Sequence, residues 1–157
     1  MSKRARLSAS DWTEIQNLYA YYNLCSDSGD AEGYASCFTD DGVLNLVTRN
    51  FVVQGRAAFI EFKRKDVEGR AGRYRRHWNS GLHLEKQADG SVRGRCYLLA
   101  FNGEPGSLPV LAGAGVYDDT IVKAGDAWRY AMRKLTTDAS TWSPPSADPT
   151  DPAGGAR

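Results

Sequence analysis

Arg75-Arg76-His77-Trp78-Asn79-Ser80-Gly81-Leu82-His83-Leu84-Glu85 marks a change of grammar in this chain. Before it, apolar residues recur at helical spacing; after it, long strand-like runs are separated by turn signals. Ser91 to Phe101, Pro109 to Val122 and Trp128 to Thr136 read as further strands. Ala88-Asp89-Gly90 and Ala124-Gly125-Asp126 have the composition of hairpin turns, and Asn102 to Leu108 that of a wider loop. Upstream, Ser10-Asp11 followed by Trp12-Thr13-Glu14-Ile15 reads as a helix start with an acidic first turn. Ile15, Leu18, Tyr19 and Tyr22 place an apolar face on that helix, which runs to Cys25 before Ser28-Gly29-Asp30 breaks it. A second short helix is expected from Ala31 to Cys37, with Tyr34 and Phe38 on one face. Thr39-Asp40-Asp41-Gly42 reads as a turn, and Val43 to Val47 as a strand with Phe51-Val52-Val53 as its hairpin partner. Gly55 opens a third helix, with Ala58, Phe59 and Phe62 on its apolar side, that ends near Gly69.

Helices first and antiparallel strands afterwards is the order of an α+β fold, not the alternation of a parallel sheet. Three helices on the concave face of a curved sheet would leave a cone-shaped cavity, a natural place for a small molecule. The 157 residues suffice for one domain with a core. The expected division is an arm over 1–10, a domain over 11–137, and a tail over 138–157 that holds most of the chain's prolines. A net charge of +1 gives no general pull toward nucleic acid or membrane, and no apolar run is long enough to span a bilayer. The charged start, Met1-Ser2-Lys3-Arg4-Ala5-Arg6, lacks an apolar stretch behind it, and Cys25, Cys37 and Cys96 have no metal spacing. Reduced thiols in a cytoplasmic protein are the expectation.

The chain has only two histidines. His77 opens the strand quoted above and Asp27 closes the first helix. A histidine that takes a proton near neutral pH and a carboxylate that orients it form a minimal acid–base unit. His83 shares alternation parity with His77, Asn79 and Gly81, which suggests one polar face. Six residues of strand span roughly 20 Å, too far for both to hold one ion, so no metal site is expected. Tyr22 is a core tyrosine or a hydrogen-bond donor in a pocket; Phe38, Tyr97 and Tyr117 are core or pocket wall. Arg133 alternates with Trp128, Tyr130 and Met132 and so is placed opposite the apolar face of its strand, toward pocket or solvent. Lys63-Arg64-Lys65 with Arg70, Arg73, Arg75 and Arg76 reads as a solvated helix end neutralised by Glu61, Asp66 and Glu68. Gly113-Ala114-Gly115 lacks the context of a dinucleotide loop and reads as a bend in a strand.

In order and spacing, several pieces resemble the SnoaL-like branch of the nuclear-transport-factor-2-like superfamily. They are Ile15-x-x-Leu18-x-x-x-Tyr22-x-x-x-x-Asp27-x-x-Asp30, Tyr34-x-x-x-Phe38-x-x-Asp41-Gly42, Gly55-x-x-x-Phe59, Arg76-His77, Gly115-x-Tyr117-x-Asp119 and Trp128-x-x-x-x-Arg133. The resemblance implies a cone-shaped α+β barrel, often dimeric or trimeric, among whose members are scytalone dehydratase, polyketide cyclases and a hexachlorocyclohexane dehydrochlorinase. It implies catalytic roles for His77 and Asp27, which fall on the positions of the family's proton-abstracting pair. Arg133 matches a pocket arginine, and Tyr22 stands where the dehydrochlorinase carries a lysine, which points to a dehydratase that polarises an oxygen. The resemblance implies a substrate contact for Arg133; Phe38, Tyr97 and Tyr117, as pocket wall, are the further candidates for substrate contact. Trp142, in Thr141-Trp142-Ser143-Pro144-Pro145, would form a partial lid.

The expected function is a cofactor-free lyase or isomerase of dehydratase or cyclase type, acting on a small apolar, aromatic or polycyclic substrate as a homodimer or homotrimer. The alternatives are a non-catalytic small subunit of a ring-hydroxylating dioxygenase and a small-molecule-binding protein. Neither membrane nor nucleic acid is expected as a partner.

Overall fold

In the computed structural model, which describes residues 6–141, helix α1 (Ala9–Ser28) begins where the Ser8 hydroxyl accepts the Asp11 amide N–H. The cap is therefore Ser8 rather than Ser10, and the helix starts inside the expected arm. α1 ends at Gly29, whose φ of 81° only glycine adopts without strain, and whose amide closes on the Cys25 carbonyl. The next residue, Asp30, caps α2 (Ala31–Ser36) by accepting the Gly33 amide. α3 (Arg56–Gly69) follows Gly55 as expected. Trp142 and the tail beyond it lie outside the described residues.

Six strands form one sheet: β1 (Phe38–Leu46), β2 (Phe51–Gln54), β3 (Tyr74–Lys86), β4 (Val92–Gly103), β5 (Val110–Ala124) and β6 (Ala127–Ser140). Their order is β2-β1-β6-β5-β4-β3 in a curved, unclosed sheet. The expected hairpins form, but the sheet is not wholly antiparallel, because β1 runs parallel to β6 and joins the first strand to the last. The expected turn at Thr39–Gly42 is part of β1, as a register shift between Phe38 and Val43. β6 continues past the expected domain end to Ser140.

Two bulges alter the faces read from alternation. On β3 the ladder to β4 gains one residue between Ser80 and His83, where Gly81 has a φ of 65°. His77 and Asn79 are thus turned inward and His83 outward, so the two histidines do not share a face. On β6, Ala131 is the extra residue opposite Thr120 and Ile121. It returns Arg133 to the face of Trp128 and Tyr130, and Arg133 is fully buried rather than turned away from the core. β4 alternates strictly from Val92 to Ala100, and this corrects the placement of Tyr97 as pocket wall: Cys96 and Leu98 point inward while Tyr97 lies on the outer face, 65% exposed. There its ring lies against Gly81 of β3.

The inner face of the sheet is covered by α1, with α2 and α3 packed together beside it. Ile15, Leu18, Tyr19 and Tyr22 of α1 are buried there, and Phe38 stacks on Phe59 of α3 at 4.0 Å between ring centroids. Gly94 of β4 keeps this interface close. A Cβ at this position would lie 2.3 Å from the Tyr19 hydroxyl, which donates to Asp119 at 2.6 Å. Gly94→Ala is therefore expected to displace Tyr19 and to destabilise the fold by about 1–3 kcal/mol, read as a lowered urea midpoint. An unchanged midpoint would show that α1 shifts to accommodate the methyl without loss.

Candidate active site

α1 and β3 cross the same stretch of interior in opposite directions. Four residues of helix rise about 6 Å, and two residues of strand about 6.6 Å, so two contacts can form in register. Asn23 donates to the Asn79 side chain at 2.7 Å, and one helical turn on, Asp27 meets His77. The Asp27 Oδ2 accepts the His77 backbone N–H at 3.0 Å, and Oδ1 lies 2.5 Å from the ring Nδ1. The structure thus joins the two residues that are fifty positions apart in sequence. Their side chains are 5% exposed for His77 and 11% for Asp27.

Burial pushes the His77 pKa below the ordinary imidazole value; Asp27 pulls the other way, and the cations Lys63 and Arg75 add to the depression. His77 is then neutral at neutral pH. With Asp27 taking the Nδ1–H, Nε2 is the basic nitrogen of the ring.

The cations beside the pair were not legible as such in the sequence. α3 presents Phe59, Lys63, Asp66 and Arg70 at spacings of four, three and four, and all four are buried. The basic run is therefore not a solvated helix end at these positions. Asp66 accepts from Lys63 at 3.0 Å and Arg70 at 2.6 Å through Oδ2, and from Arg75 at 2.5 Å through Oδ1. Burial alone would raise the Asp66 pKa; the three cations overcome it and hold the carboxyl well below its usual range. Lys63 also donates to the Ser26 hydroxyl at 2.9 Å, and burial lowers its pKa to about 8. Helical periodicity from Phe59 was the one available signal for this stripe.

Tyr22, Tyr117 and Arg133 form a second group. Asp119 and Arg133 are direct cross-strand partners on β5 and β6, and neither side chain is exposed. The Arg133 guanidinium carbon lies 3.7, 4.1, 4.4 and 5.0 Å from the ring centroids of Tyr117, Tyr22, Tyr130 and Tyr19. Its Nε is 3.7 Å from Asp119, and none of its nitrogens has a hydrogen-bond partner among the described residues. Burial raises the Asp119 pKa to about 6, against the pull of Arg133 and the Tyr19 hydroxyl. Tyr34 bridges the two groups: its hydroxyl is 3.0 Å from that of Tyr22, and Lys63 Nζ lies 4.5 Å from its ring centroid. Burial raises the pKa of Tyr22 and of Tyr34, so both hydroxyls stay protonated and can donate. Tyr22 itself sits about 7.5 Å up the helix axis from Asp27.

A depression lined by Gln87, Arg93, Asp118, Thr120 and Lys134 lies on the outer face of the sheet. Its charged lining does not suit an apolar ligand, and Asp27, His77 and Arg133 lie on the other face.

The SnoaL-like domain model matches residues 8–134. Among solved structures, ActVI-ORFA from Streptomyces coelicolor is 24% identical over 83% of this chain and 98% of its own, with a TM-score of 0.75. The Mycobacterium tuberculosis protein Rv3472, of unknown function, is 28% identical over 89% of this chain and 84% of its own, at 0.74. A Novosphingobium aromaticivorans protein provisionally named a scytalone dehydratase is 22% identical over 94% and 96%, at 0.71. Likeness at this level establishes a shared fold. No curated protein matches the chain. Among the described residues, no helix is long and apolar enough to cross a membrane.

The His77 shift has a consequence for stability. Its folded pKa lies below the unfolded value of about 6.5, so on acidification the unfolded chain takes up a proton that the folded chain resists. This contribution is in place above that value and is lost as pH falls below it. The urea midpoint is expected to drop between pH 7 and pH 5, and His77→Gln to flatten that part of the profile. An equal drop in the variant would place its cause elsewhere.

Proposed function

We propose, from the premise that the chain belongs to the SnoaL-like family, that it is a cofactor-free lyase or isomerase of dehydratase or cyclase type in which His77 abstracts a proton from carbon. The observation that carries the reading is the two-point contact of Asp27 with the ring and the backbone of His77. That contact supports a fixed tautomer: Nδ1–H faces the carboxylate, and Nε2 takes the proton. Asp27 then stabilises the imidazolium that forms, and the proton returns to a leaving oxygen or to a neighbouring carbon. Negative charge developing on the substrate oxygen would be met by neutral hydroxyl donors, Tyr22 with Tyr34, and by the field of Arg133. The aromatic side chains around them, Phe38 and Tyr117 included, suit a largely apolar ring compound with one or two oxygens.

Proton abstraction can be tested before the whole reaction is known. Hydroxy- and keto-substituted aromatic and polycyclic compounds are incubated with the protein in D2O and followed by mass spectrometry. Protein-dependent deuterium incorporation or loss of water is expected. His77→Gln should abolish most of it and Asp27→Asn should slow it about 10²-fold or more, with binding of a product analogue retained. Full activity in either folded variant would overturn the assignment.

We also infer that the chain self-associates through the outer face of the sheet. Trp78, Tyr97, Leu99 and Leu111 are exposed there on adjacent strands, and Trp78 packs against Phe101 at 5.4 Å. A contiguous apolar patch of this kind is characteristic of an interface. Light scattering is expected to give a dimer or trimer, and Leu99→Lys a smaller species; a wild-type monomer at micromolar concentration would contradict the inference.

A further inference from the structure

Asp27 stands in the last turn of α1, an unfavourable place for a carboxylate. The last carbonyls of a helix carry partial negative charge, and α1 has no basic residue of its own in that turn. The compensating cation comes from α3. Arg70 donates through Nη1 to the Asp27 carbonyl at 2.8 Å and through Nη2 to the Ser26 carbonyl at 2.6 Å. The same guanidinium is held by Asp66, which also holds Lys63, the partner of the Ser26 hydroxyl. On its other oxygen Asp66 takes Arg75, the residue two before His77 on the inner face of β3, and Arg75 is anchored in turn to the Asn102 side chain of β4. One carboxylate thus ties together the end of α1, the face of α3 and the start of β3.

We propose that Asp66 is a positioning residue for the Asp27–His77 pair. Through Arg70 it sets the height and rotation of the last turn of α1, and through Arg75 it sets the strand that carries His77. The distance between the Asp27 carboxylate and the His77 ring is then fixed by a buried ionic unit that touches neither side chain's functional atoms. This rests on the reading of Asp27 and His77 as an acid–base pair. Asp66 itself takes no proton from substrate.

The groups facing His77 also give the unit an electrostatic consequence. They are Asp27 from α1, Lys63 from α3 and Arg75 from β3, with Asp66 and Arg70 behind them. Three cations stand against two carboxylates, so protonation of His77 adds charge to a set already positive. Removing Lys63 should let His77 protonate at higher pH. Removing the Asp66 charge should have the opposite effect and should also release the geometry.

The test uses the full chain labelled with 15N-histidine. With only two histidines present, His83 serves as the exposed reference. In the wild type the His77 Nδ1–H should be a protected, downfield resonance. In Asp66→Asn it should broaden or vanish, and kcat should fall at least tenfold while KM changes less than about threefold, since small misplacement acts on the chemical step. Lys63→Met should keep the resonance and move the His77 titration upward. If Asp66→Asn does not fold, Arg70→Gln decides, because it removes the guanidinium bonds to the Ser26 and Asp27 carbonyls and leaves Asp66 paired with Lys63 and Arg75. A folded Asp66→Asn, or Arg70→Gln, with an unchanged Nδ1–H resonance and kcat within twofold overturns the proposal. Full activity in His77→Gln would instead overturn the catalytic reading, and the resonance in Asp66→Asn would still decide the positioning.

Discussion

The contact between Asp27 and His77 constrains the helical layer against the sheet. A carboxylate that is 11% exposed at the negative end of a helix is costly unless it is fully engaged. Here each oxygen has a partner on one residue, the backbone N–H on one side and the ring on the other. Satisfying both at once requires the last turn of α1 to lie at one height and one rotation over β3. The parallel contact between Asn23 and Asn79, one turn earlier, is the same constraint repeated. One contact therefore serves two ends: the geometry that makes the carboxylate tolerable also orients the imidazole ring.

The interior around this contact holds buried charged side chains from α3, β3, β5 and β6. Arg133 is the extreme case, fully buried among four tyrosine rings with one carboxylate at the edge of contact. Ring faces return part of the solvation that a guanidinium loses, by cation–π attraction in a dry setting, and Asp119 returns more. What remains is an ion-pair dipole whose positive end stands against the rings of Tyr22 and Tyr117. On the other side, Asp66 gathers three cations where a hydrophobic helix face would have been more stable. Buried ionic groups of this kind contribute little to stability. They do fix geometry here, since Asp66 holds side chains from α3 and β3 that reach the end of α1 and the strand of His77.

Much of the architecture was legible in the chain. Helical spacing around Ile15, Leu18, Tyr19 and Tyr22 identified the buried face of α1, and the turn signals at Ala88-Asp89-Gly90 and Ala124-Gly125-Asp126 located two hairpins. The order of helices and strands gave the α+β class. These features are local, or depend on periods that survive along one element, and so they are written in the sequence directly. The pairing of Asp27 with His77 is not of that kind: the resemblance to the SnoaL-like family pointed to it, and the fold joins the two.

Tertiary structure decided the rest, for two physical reasons. The first is that side chains on a strand alternate, so one inserted residue reverses every face beyond it. Gly81 and Ala131 are such insertions, and they turn His83 outward and Arg133 inward against the simple alternation. The second is that burial of a charged residue depends on partners that are not its neighbours in sequence. Lys63, Asp66 and Arg70 look like the solvated end of a basic helix until Arg75 on β3 and the carbonyls of Ser26 and Asp27 on α1 are brought against them. The parallel pairing of β1 with β6 is of the same kind, a contact between the two ends of the domain. By itself, the sequence determined which elements form and offered Asp27 and His77 as candidates; the folded chain alone decided that they meet and which charges lie beside them, because the stability of those charges in the interior comes from contacts that exist only when α1, α3 and β3 are assembled.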